Sequence, residues 1–169
     1  PILSYTDSPA NNSTYKGSAV AGAVCAPLAT GTNTCYQYDY QLVQVGAQYD
    51  TTIGSLPLMV FADFVQNQDA DEFDTGYTAG FLLGKAGNPG TWEFGALYEK
   101  MEKDAQFGAF LDSDFAGGLT QGKGWQLRAA YAPVKNVTLN AQYFLNKRNY
   151  DTASEVDYKR LQIDANFKF

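Results

Sequence analysis

Seven segments in which apolar and polar residues alternate with a period of two predict an all-β fold: an antiparallel up-and-down transmembrane β-barrel with at least seven or eight strands in this chain. Two further observations agree. The connections between segments alternate strictly between short turns and long loops, the rhythm of a barrel whose hairpins are short on one side of a membrane and longer on the other. Aromatic residues make up 15 % of the chain, with 12 Tyr and 11 Phe, whereas charged residues make up only 18 %. With a slightly negative mean hydropathy and no apolar run approaching the ~18 residues of a transmembrane helix, that balance fits a lipid-facing surface around a wet interior.

Residues 1–37 are the least periodic part. Asn11-Asn12-Ser13-Thr14 and Gly31-Thr32-Asn33-Thr34 are loop compositions, and the small-residue stretch between them suits half a strand or a loop folded inward. The chain therefore divides into an irregular segment over 1–37 and barrel strands over 38–169. In 40–50, Val43, Val45, Ala47 and Tyr49 oppose Leu42, Gln44, Gly46 and Gln48. After a turn at Gly54, Leu56, Leu58, Val60, Ala62 and Phe64 oppose Met59, Phe61, Asp63 and Val65, a less clean alternation. An acidic loop, 67–74, leads to Tyr77, Ala79, Phe81 and Leu83 against Thr78, Gly80, Leu82 and Gly84. Past the tight turn Gly87-Asn88-Pro89-Gly90, Trp92, Phe94, Ala96 and Tyr98 oppose Glu93, Gly95, Leu97 and Glu99. A long connection over 105–122 follows, then Trp125, Leu127, Ala129 and Tyr131 against Gln126, Arg128, Ala130 and Ala132. The turn 133–136 joins this to Val137, Leu139, Ala141, Tyr143 and Leu145 against Thr138, Asn140, Gln142 and Asn146. A polar loop, 147–156, precedes the final strand, where Leu161, Ile163, Ala165, Phe167 and Phe169 oppose Tyr158, Arg160, Gln162, Asp164 and Asn166.

A strand ending on Phe169 resembles the C-terminal signature of Gram-negative outer-membrane β-barrels. With that end periplasmic, the turns at 51–55, 87–90 and 133–136 share its side, and the loops at 67–74, 105–122 and 147–156 are external. On the apolar face Trp92, Tyr131, Tyr49 and Phe169 then sit near the periplasmic ends and Trp125 and Tyr143 near the external ends, like two interfacial girdles. A soluble sandwich would explain the aromatic content but not its placement at two levels. A soluble ligand-binding barrel would alternate too, with its apolar side chains pointing into the cavity.

A net charge of −6 without any basic run argues against nucleic acid. The absence of His removes Ser-His and Cys-His nucleophilic chemistry and any His-ligated metal, so no enzyme and no cofactor is expected. Glu93 and Glu99 as a glycosidase pair would stand about 20 Å apart along one strand, too far for either stereochemical course. Cys25 and Cys35, in a Gly/Thr/Asn/Pro-rich stretch, are expected to form a disulfide contributing up to about 3 kcal/mol through loop entropy, with metal binding the weaker alternative for want of further ligands.

Three motifs carry a family resemblance: Gly84-Lys85-Ala86-Gly87-Asn88-Pro89-Gly90-Thr91-Trp92-Glu93; Asp104-Ala105-Gln106-Phe107-Gly108-Ala109-Phe110 running into Asp112-Ser113-Asp114-Phe115; and Ala132-Pro133-Val134-Lys135-Asn136-Val137-Thr138-Leu139. They resemble the C-terminal part of the "putative porin" family of outer-membrane proteins over about residues 40–169. Members are considerably longer, which implies that this chain is the C-terminal part of a larger, for example 16-stranded, barrel. Seven strands with the last ending in the periplasm leave one upward strand to be supplied: by residues 1–25, closing a narrow eight-stranded barrel, or by a missing barrel segment, the expected alternative, or a homo-oligomeric partner.

The expected function is an outer-membrane porin, a passive diffusion channel for small hydrophilic solutes or ions that is otherwise in contact with outer-membrane lipid. A small closed barrel with a structural or adhesive role and a soluble ligand-binding β-barrel are the alternatives. Pore-lining candidates are Glu93, Glu99, Gln126, Arg128, Asn140, Gln142, Arg160, Gln162 and Asp164. In a wide pore they set an electric field across a water column; in a narrow barrel they form a hydrogen-bonded plug. Arg128 and Arg160 are candidates for a basic wall, or for cross-strand pairing with Glu93 or Asp164. Asp69, Asp71, Glu72 and Asp74 crowd one external loop and are expected to be a solvated charged loop with no metal; Ca²⁺ is the weaker alternative, since the EF-hand spacing and its glycine are absent. Asp112 and Asp114 either remain solvated or fold into the pore mouth, with Gly117, Gly118 and Gly122 allowing the connection to bend.

Overall fold

A computed structural model describes residues 6–7, 19–20, 34–36 and 38–168. Three short strands, β1 (Thr6–Asp7), β2 (Ala19–Val20) and β3 (Thr34–Tyr36), form a small antiparallel sheet with β3 in the centre. The remaining strands, β4 (Leu42–Ile53), β5 (Leu56–Asn67), β6 (Thr75–Gly84), β7 (Trp92–Met101), β8 (Gly122–Val134), β9 (Val137–Arg148) and β10 (Val156–Phe167), form one seven-stranded sheet in sequence order. Each neighbouring pair is antiparallel. All seven expected strands are present, several extended at their ends: the first runs to Ile53 rather than stopping at 50.

The short connections are tight because their residues suit the backbone. Gly54, at φ 61, and Ser55 separate the paired residues Ile53 and Leu56. Asn136, at φ 66, closes the turn between paired Val134 and Val137, and Asn tolerates the left-handed region better than most residues. The pairing of β8 with β9 shifts register between Tyr131 and Val134, where Pro133 brings no N–H to the ladder. Ala132 instead bonds across to the 87–91 turn, donating to Thr91 and accepting from Gly90.

The sheet is open among the described residues: β4 and β10 each have one neighbour. Of residues 1–25, only β1 and β2 are described, and they pair with β3 rather than with β10. Cys25 of the expected disulfide and the terminal Phe169 lie outside the described residues. No described helix is long and apolar enough to cross a membrane, a criterion that does not bear on strands.

Register assigns every side chain to one of two faces. On the apolar face Leu161 and Ile163 are 61 % and 73 % exposed, and Trp92, Phe94, Trp125, Tyr131, Leu139 and Tyr143 are also exposed. Tyr77, Tyr98 and Trp125 run side by side across β6, β7 and β8, with ring centroids 6.2 and 5.2 Å apart. Burial concentrates on the opposite, polar face at the long-loop end. There Val65, Met101 and Ala105 form one cluster, and Phe115, Ala116 and Phe144 another. The second cluster exists because residues 102–121 fold back over the sheet.

Candidate functional site: the polar face and the connection folded onto it

The strand register brings all nine candidate residues to one face, in adjacent rows. Glu93 pairs with Ala130, Ala130 with Asn140 and Asn140 with Asp164. One row nearer the long loops, Arg128, Gln142 and Gln162 lie across β8, β9 and β10. Gln126 and Arg160 share the next row with Phe144 between them, and Glu99 occupies the row beyond.

Both arginines of this face are ion-paired. Arg128 Nη2 lies 3.0 Å from Glu93 Oε1, and Arg160 Nη1 lies 2.7 Å from Asp114 Oδ1. Neither arginine is a bare member of a basic wall. Arg128 takes the expected cross-strand partner Glu93, whereas Arg160 pairs with a loop residue instead of Asp164. Gln162 Nε2 donates to Asp114 Oδ2 at 2.7 Å, and Gln126 Nε2 donates to Gln142 Oε1 at 2.5 Å. Glu99 accepts a long 3.5 Å bond from Thr78 Oγ1. The Nδ2 of Asn140 is buried without a partner.

The connection over 102–121 reaches this face through polar and apolar contacts together. After a 3₁₀ turn at Gly108–Phe110, Asp114 clamps Arg160 and Gln162, and the turn Phe115–Gly117 seats Phe115 and Ala116 on Phe144. Ala116 N donates to Asn146 Oδ1 at 3.1 Å, while Asn146 Nδ2 donates to the Trp125 carbonyl. Gly117 and Gly118 make the bend, at φ 71 and 72. Gly122 was expected to bend as well but instead begins β8; a Cβ there would stand 2.8 Å from that of Ala116, so its small size serves close packing.

At the rim, Glu102 ties this connection to β6 and β7. It accepts from Thr75 N at 3.1 Å and Thr75 Oγ1 at 2.7 Å, and pairs with Lys100 at 3.1 Å. Partial burial would raise its pKa, but the Thr75 hydrogen bonds and Lys100 outweigh that and hold the carboxyl below its ordinary value. Tyr150, in the 149–155 loop, lies beneath Lys123 and Lys100, 4.5 and 5.3 Å from its ring centroid.

The acidic loop does not assemble a cation site. Among the described residues no three carboxylates, Cys or His converge. Asp74 accepts from Gln66 Nε2 at 2.7 Å, Asp71 and Glu72 are exposed, and Asp69, Asp71, Glu72 and Asp74 do not converge on a common point.

Two features were missed in the sequence. Phe144 has the parity of the polar set, between Gln142 and Asn146, and is fully buried. A lone aromatic among amides was the signal that something covers that row. The second is an apolar floor on the same face, Met59, Phe61, Leu82 and Leu97, visible in the alternation but obscured because β5 is apolar on both faces.

A family model described as "Putative porin" matches residues 19–169. The chain belongs to this family. The match starts well before residue 40, where the three motifs placed it, so residues 19–37 belong to the porin match as well. Searches of curated proteins and of solved structures return no match.

Proposed function

We propose that this porin-family chain forms part of the wall of an outer-membrane β-barrel channel for passive diffusion of small hydrophilic solutes or ions, without enzymatic activity. The observation that carries this is the segregation of the two faces. Exposed Trp, Tyr, Phe, Leu and Ile cover one side of a seven-stranded meander, and the other side carries charged and amide side chains with a connection folded onto it. The exposed side suits lipid, and the polar side suits water. The open edges of β4 and β10 would each leave a row of backbone groups unpaired in lipid, at several kcal/mol per group. Further strands or a second copy would satisfy them and close the wall.

The polar face also keeps its side chains low. A Cβ on Gly80 would lie 2.7 Å from Leu97 Cβ and 2.9 Å from Phe61 Cζ, and one on Gly95 would collide with Leu82. These glycines let neighbouring side chains lie along the sheet instead of projecting into the lumen, which favours an open channel over a filled plug. The test is the conductance of purified protein in planar bilayers. Discrete, ohmic steps in KCl are expected; a protein that inserts and conducts nothing has a structural role instead.

A further inference from the structure

We infer that the polar face between β4 and β8 carries a binding site for organic cations with an apolar body, an amine or ammonium group borne on an aromatic or alkyl group. Access to it from a lumen rests on the channel function proposed above. The site is a cavity of about 450 Å³ whose lining includes Met59, Phe61, Leu82, Leu97, Asp63 and Arg128. The apolar floor borders the charged and amide side chains of β7 and β8, and it is built flat. Phe61 lies over Gly80 and Leu82 over Gly95, positions where any larger residue would displace them.

Charge fixes the sign of the ligand. Asp63 makes no ion pair among the described residues. It lies cross-strand from Gly46 on one side and Thr78 on the other. Asp63 is the one carboxylate among the described residues that line the cavity. The one cation at the cavity, Arg128, is already neutralised by Glu93. A cation whose apolar body lies on Phe61 and Leu97 brings its charge to Asp63, half-buried beside the floor. A hydrated inorganic cation gains nothing from the floor, and an anion with the same body is repelled by Asp63.

Isothermal titration of detergent-solubilised protein with phenethylammonium, ethylammonium and phenylacetate tests this without a variant. Phenethylammonium is expected to bind at least tenfold more tightly than either of the others. Asp63→Asn and, separately, Phe61→Ala are each expected to remove at least tenfold of that affinity while retaining the β-sheet circular dichroism. Equal binding of the three compounds, or an unchanged affinity in Asp63→Asn, overturns the site. KCl conductance of the same preparation reports the channel separately. Preferential binding without conductance retires the channel and leaves the site; conductance without preferential binding does the reverse.

Discussion

Asp114, in the connection between β7 and β8, places Oδ1 2.7 Å from Arg160 Nη1 and Oδ2 2.7 Å from Gln162 Nε2, two neighbouring contacts on β10 made by one carboxylate. The arginine side chain is substantially exposed, so solvent screens the ion pair and it adds little to stability. Its larger effect is positional. Asp114→Ala is expected to lower stability only slightly while raising single-channel conductance and current noise in planar bilayers. Unchanged conductance would place the 102–121 connection away from the conducting path.

Phe144 anchors the same connection from the sheet side, fully buried against Phe115 and Ala116. Phe144→Ala removes that contact and leaves a void, at a cost of about 3 kcal/mol. Denaturant unfolding of the purified protein measures it. A cost below about 1 kcal/mol would mean that the cluster collapses without strain.

Orientation of the faces is tested one residue at a time on β9. A cysteine in place of Asn140 is expected to react with a membrane-impermeant maleimide in intact membranes, and cysteines in place of Leu139 and Ala141 are expected to be spared. The opposite pattern would turn the apolar face inward and make the protein a soluble-type carrier.

Charge reversal probes the field across the polar face. Arg128→Glu together with Arg160→Glu leaves Glu93 and Asp114 uncompensated, and is expected to shift the reversal potential toward cation preference. No shift would remove this face from the ion path.

Glu102 predicts an acid-sensitive rim. Its folded-state pKa lies below the ordinary carboxylate value, so its contribution is fully present above that value and is lost as pH falls through the lower, folded one. Proteolysis within 102–121 is expected to accelerate below about pH 4. Glu102→Gln should show faster cleavage already at neutral pH and lose most of the pH dependence.

Most of the sheet was legible because its signal is local. Alternation fixed which residues of β7 to β10 share a face, and the turn residues at 54 and 136 fixed where hairpins close. The polar side chains' partners were legible only where they were cross-strand neighbours, as with Arg128 and Glu93. Asp114 reaches β10 across 48 positions of sequence, and no periodicity encodes that distance. The apolar floor was written in the β5 pattern, but a strand apolar on both faces gives no sign of which side needs explaining.

The meander also sets an order of assembly. Among the described residues each strand from β4 to β10 pairs only with its sequence neighbours, so the sheet can zip up hairpin by hairpin with little loop-closure cost at each step. Residues 102–121 are the exception, because their landing site includes Arg160 and Gln162 on β10, the last strand of the sheet to be synthesised. Docking of that segment therefore marks completion of the preceding hairpins, and a nascent sheet lacking β10 would present Phe115 and Phe144 without the clamp that holds them together.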